Sequence, residues 1–206
     1  PASPDRCEPL YVIGNSKIRT ASEAKGEFHH PQGVCCAPDG SIVVADTENS
    51  RVQQFDASAR FVHTFGQKGE GPQEFTGPID VCHLDRRFAP SSSASSLLVV
   101  ADSENKRVVM WSSDGSQVVS QVDIGSTVYG VCVDLNGYVH VASGHPYVNN
   151  TCGFSVRIYD PRCAYDLVEI LRDDTCPFKR PRNMCVDDNN VLLVSETRNH
   201  CVELFD

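Results

Sequence analysis

The chain contains one stretch four times. "GVCCAPDGSIVVADTENSRVQQFD" (33–56) is followed by "IDVCHLD" with "LLVVADSENKRVVMWS", by "YGVCVDLNGYVHVAS" with "FSVRIYD", and by "NMCVDDNNVLLVSETRNHCVELFD". From the cysteine of the first apolar run to the end of the second, Cys35 to Asp46, Cys132 to Ser143 and Cys185 to Glu196 each span 11 positions, and Cys82 to Asp102 spans 20. From there to the aromatic closing the third run, Asp46 to Phe55, Asp102 to Trp111 and Glu196 to Phe205 each span 9, and Ser143 to Tyr159 spans 16. Two copies therefore carry insertions, around "FAPSSSASS" and "GHPYVNNT", whose small, polar and turn-forming residues suit surface loops.

Each copy reads as strand, tight turn, strand, polar loop, strand. Asp39-Gly40, Asn136-Gly137 and Asn189-Asn190 are pairs that tolerate positive φ, so the first two strands form a hairpin. A fourth run follows three of the copies: "RFVHTFG", "SQVVSQVDIG" and "AYDLVEIL". Four antiparallel strands every 45 to 55 residues or so is the pattern of a β-propeller blade, because a twisted sheet covers its apolar faces only against neighbouring blades. The expected fold is all-β: one domain over 1–206, with blades at about 26–67, 75–125, 126–172 and 176–206, the last completed by 8–14. The fourth copy stops after its third strand. Residues 10–13 are expected to pair with it and close a four-bladed ring, the alternative being part of a larger ring with open strand edges.

Composition narrows the setting. Of 206 residues, 40% are hydrophobic and 22% charged, as in ordinary globular domains, and no apolar run is long enough for a spanning helix. "PASPDRCEPL" shows no signal pattern, and the sequence reads as a soluble piece of a longer chain with no membrane partner. A net charge of -9 argues against a basic surface overall while leaving room for a local basic face. Four of the ten cysteines, Cys35, Cys82, Cys132 and Cys185, hold equivalent places in the first strands, where a small soft side chain suits inner packing. A thiolate metal site there lacks CxxC spacing, and neither metal nor cofactor is expected. The expected compartment is reducing and cytoplasmic. The extracellular alternative would have Cys152 bridged to Cys163 and Asn149, in an "NNT" sequon, glycosylated.

"HPQGV", "VVADTENSRVQQFD" and "FGQKGEGPQEFTGP" resemble the NHL repeat, found in the C-terminal propellers of tripartite-motif ubiquitin ligases and their relatives. The likeness is clear in the first two copies and weaker in the last two, where Ser155 and Cys201 replace the arginine present at Arg51 and Arg107. Many family propellers have six blades, against four here. The resemblance implies a recognition module that binds a protein partner or substrate, its ubiquitin-ligase catalytic region lying outside this sequence. RNA binding, as in some NHL propellers, is the alternative. The related amidating lyases bind metal through propeller histidines. The seven histidines here, His29, His30, His63, His83, His140, His145 and His200, share no register, and no catalytic motif appears.

Function on a propeller belongs to the loops at one end. Those joining second to third strand carry Glu48, Asn49, Glu104, Asn105, Lys106, Arg198, Asn199 and His200, and those entering each first strand carry His29, His30, Lys179, Arg180 and Arg182. "PFKRPRN" sets three cations beside Phe178, a composition suited to phosphate contact and base stacking. The candidate partner-binding residues are Lys179, Arg180, Arg182, Phe178, Lys106, Arg107, Arg51, Arg198, His200 and His30. For Arg51 and Arg107 a bracing role competes, since the Asp46–Arg51 and Asp102–Arg107 spacings recur with no catalytic residue attached.

Overall fold

The structure is a computed structural model and describes residues 12–14, 24–90, 95–145, 153–171 and 178–206. Fifteen strands lie in these residues, beside two single-turn 3-10 segments. Blade 1 is β1 (Pro31–Cys36), β2 (Ile42–Asp46), β3 (Arg51–Phe55) and β4 (Phe61–Phe65); blade 2 is β5 (Pro78–Leu84), β6 (Leu97–Asp102), β7 (Arg107–Ser112) and β8 (Val118–Asp123). Blade 3 is β9 (Thr127–Val133), β10 (Val139–Gly144), β11 (Ser155–Asp160) and β12 (Asp166–Leu171); β13 (Pro181–Val186), β14 (Leu192–Glu196) and β15 (Cys201–Phe205) form blade 4. Each sheet is an antiparallel meander in chain order. Turn chemistry follows the expected pairs, with φ of 81° at Gly40, 87° at Gly137 and 68° at Asn190.

The blades stack face to face through their alternating apolar residues. Val43, Ala45 and Val52 of blade 1 meet Leu98, Val100 and Trp111 of blade 2; Val99 and Met110 of blade 2 meet Val131 and Val141 of blade 3; Ala142 and Val156 of blade 3 meet Met184 and Val194 of blade 4. The central strands β6 and β7 are buried at every position, as expected of a sheet covered on both faces. Successive first strands lie side by side around an axis, β1 against β5, β5 against β9 and β9 against β13. This approach needs glycine. A Cβ at Gly33 would meet Asp80, and one at Gly130 would meet the Arg182 carbonyl.

Most of the chain-end segment expected to close the ring lies outside the described residues. Val12 and Ile13 belong to no strand, Val12 is 74% exposed, and Gly14 lies against Phe28 at the entrance to blade 1. Residues 10 and 11 lie outside the described residues. Blade 4 therefore has three described strands, and no core cluster joins it to blade 1. Cys185 departs from the core role expected of it for the same reason. Cys35, Cys82 and Cys132 pack against the clusters between blades, whereas Cys185 is exposed.

Candidate functional site

The loops expected to share one end do so, and a repeated hydrogen-bond scheme fixes them. In blade 1 the buried Asp46 carboxylate accepts from His29 N–H, Asn49 Nδ2, Gln53 Nε2 and Arg51 Nε. The Arg51 guanidinium then donates to the carbonyls of Ala24 and Glu27 in the segment that enters β1. Blade 2 repeats this: Asp102 accepts from Thr76 N–H, Asn105 and Arg107, and Arg107 donates to the carbonyls of Glu70, Gly71 and Glu74. Burial raises the Asp102 pKa even so, outweighing the hydrogen bonds from Thr76, Asn105 and Arg107. Arg51 and Arg107 are thus buried braces. They are withdrawn from the partner-binding set, because their donors are committed to loop carbonyls.

The brace is altered in the later copies. In blade 4 the longer side chain of Glu196 reaches the N–H groups of Lys179 and Arg180, with Cys201 where the arginine stood. In blade 3 Ser143 and Ser155 take the two places, and both buried hydroxyls lack a hydrogen-bond partner among the described residues.

Phe178 also leaves the binding set. It is 2% exposed, with its ring 5.8 Å from that of Phe205, and so cannot stack on a base. Phe28, Phe75 and Phe178 each precede the first proline of an inner strand by three positions, at Pro31, Pro78 and Pro181. This F-x-x-P recurrence marks a packing residue and was available in the sequence.

The remaining candidates are at the surface. His30, Lys106, Lys179, Arg198 and His200 are exposed, Lys106 and His200 at left-handed positions that end their loops (φ 58° and 55°), and exposed Glu48 and Glu104 mix the charge at this end. Arg180 and Arg182 are half-buried and converge on a residue that sequence reasoning missed. Their guanidinium carbons lie 5.9 and 5.4 Å from the centre of the Tyr129 ring on β9. Burial, and then the charge of Arg180, lower the Arg182 pKa, so its positive charge is under-compensated. Neither guanidinium has a carboxylate within ion-pair distance among the described residues.

Beside this pair a cavity of about 210 Å³ opens at the axis, lined by Gln32, Gly33, Ile79, Asp80, Tyr129, Arg182 and Asn183. Asp80 accepts from Val81 N–H at 2.9 Å and from Val131 N–H, in the next blade, at 3.0 Å; burial outweighs these bonds and raises its pKa. Further along the axis is a space of about 710 Å³, lined by all four inner strands, including Cys35, Cys82, Cys132 and Cys185. Burial pushes the Cys35 thiol up to about 12 and moves Cys82 and Cys132 in the same direction, which disfavours the thiolate form. No three His, Cys, Asp or Glu side chains gather in metal-binding geometry among the described residues. Cys152 and Asn149 lie outside the described residues.

Comparisons with known proteins agree with this architecture. The NHL repeat family matches residues 28–55. Rat peptidylglycine alpha-amidating monooxygenase is 23% identical over 96% of the chain, and the human E3 ubiquitin-protein ligase NHLRC1 is 34% identical over 29% of it. The chain spans 20% and 16% of their respective lengths. The WD40 β-propeller domain of Doa1 superposes with a TM-score of 0.61 at 11% identity, covering 87% of the chain and 52% of that domain, which is a likeness of fold alone. No described helix is long and apolar enough to cross a membrane. Four stacked meanders make the chain a β-propeller, whose first blade, over residues 28–55, matches the NHL repeat.

Proposed function

We propose that the chain is a non-catalytic recognition module that binds a protein partner at the end where the inner strands begin. The observation that carries this reading is the hydrogen bonding of strand-joining loops to strand-entering segments. Glu48 N–H donates to the His29 carbonyl, Glu104 N–H to that of Thr76 and Thr197 N–H to that of Arg180, so three blades present a pre-ordered surface at one end. Likeness to part of an E3 ubiquitin-protein ligase supports a finer version, in which the module presents substrates to a catalytic region elsewhere in the whole protein. RNA is the second reading, supported by the Tyr129–Arg180–Arg182 cluster and weakened by the burial of Phe178.

Site-specific photo-crosslinking tests this. A crosslinker replacing Lys106 or Arg198 is expected to yield discrete protein adducts, and one replacing Ser58, in the turn at the opposite end, none. Equal adducts from both ends, or nuclease-sensitive adducts only, would remove the reading.

A further inference from the structure

We infer that Arg180, Arg182 and Tyr129 form a pocket for one acidic side chain, an Asp or Glu, of a partner peptide. The inference rests on the protein-recognition reading and names the chemistry of its central contact.

Two guanidinium groups share the ring of Tyr129, at 5.9 and 5.4 Å. The braces of blades 1 and 2 hold each arginine beside a carboxylate, Arg51 at 2.8 Å from Asp46 and Arg107 at 2.7 Å from Asp102. Arg180 and Arg182 have no such partner among the described residues, although they are half-buried and close enough to repel each other. An arrangement of this kind is completed by an incoming anion, and the planar forks of two arginines suit the two oxygens of a carboxylate. The backbone around them is fixed. Glu196 takes the Arg180 N–H at 3.0 Å, the Arg182 carbonyl packs on Gly130, and Tyr129 is wedged by Phe154 at 5.8 Å.

The surroundings favour one carboxylate over a run of phosphates. The adjoining cavity of about 210 Å³ contains a second charge of opposite sign, Asp80, and the neutral amides of Gln32 and Asn183. A polyanion entering there would meet Asp80, whereas a side chain seated on the arginines leaves the amides free to bond the peptide backbone. Glu48 and Glu104 interrupt any basic track toward Lys106, and the net charge of -9 disfavours a long anionic ligand.

The test is fluorescence anisotropy with three labelled probes: a peptide of alternating Glu and Gly, the same peptide with Gln for Glu, and a single-stranded oligouridylate. The Glu peptide is expected to bind, and Arg180→Gln and Arg182→Gln are each expected to weaken it at least tenfold, the loss of one charge-assisted contact. Arg60→Gln, exposed in the turn at the opposite end, should leave binding unchanged, and thermal melts should confirm that all variants are folded. Equal binding of the Gln peptide, no binding of the Glu peptide at low salt, or tighter binding of the RNA through the same arginines would overturn the inference. If Lys106 and Arg198 crosslink a protein partner whose affinity ignores both arginine variants, the acidic pocket falls and the recognition reading stands. If neither position crosslinks protein, the recognition reading itself falls.

Discussion

Arginine has two fates in this chain, and burial decides between them. At Arg51 and Arg107 the guanidinium is surrounded by a carboxylate and loop carbonyls; at Arg180 and Arg182 it faces an aromatic ring and open space. Arg51→Ala should therefore unfold the protein more readily by about 3 kcal/mol, since it strands the buried Asp46, a loss measurable by urea denaturation. Arg182→Ala should cost less than about 1 kcal/mol, as it breaks no ion pair among the described residues. Histidine gives a second test at this scale. Burial lowers the pKa of His63 and His83, outweighing the opposing charges of Asp114 near the first and of Asp85 and Asp39 near the second. A lowered folded pKa means that the native state binds fewer protons than the unfolded one, so the stability these groups contribute is present above about pH 6.5 and is lost on acidification. The melting temperature should fall between about pH 7 and 5, and the His63→Gln/His83→Gln double variant should show a shallower fall.

Among the elements, the blades diverge where the brace degenerates. Ser143 and Ser155 occupy the places of the acid and the arginine in blade 3, buried and without partners among the described residues. Ser143→Ala and Ser155→Ala should each leave the melting temperature unchanged or raise it, by up to about 1 kcal/mol of stability, because a buried hydroxyl without a partner carries a desolvation cost that alanine removes. A clear drop would show that the hydroxyls are bonded in solution. The strands themselves were legible from the first reading: hairpin pairs, polar loops and apolar runs fell at the same offsets in each copy, and backbone pairing follows such offsets directly. Tyr129 was not legible, because its importance depends on blades 3 and 4 meeting, and no local pattern encodes that contact. The role of Phe178 was encoded, in its F-x-x-P spacing, and was obscured by the cations beside it.

For the whole molecule, repeat counting gave the number of blades and the end on which the loops meet. It did not give the relation of the fourth blade to the first. Pairing of chain ends depends on where a short segment settles, and Gly14 sits against Phe28 of blade 1. Among the described residues, blade 2 is covered on both faces by neighbours, whereas blade 4 packs on blade 3 and has three described strands. Nearest-neighbour stacking makes local opening easiest where a unit has fewest neighbours. Deuterium uptake should accordingly run faster through β14 and β15 than through β6 and β7, whose every residue is buried, so that exchange grades across the blades as their burial does.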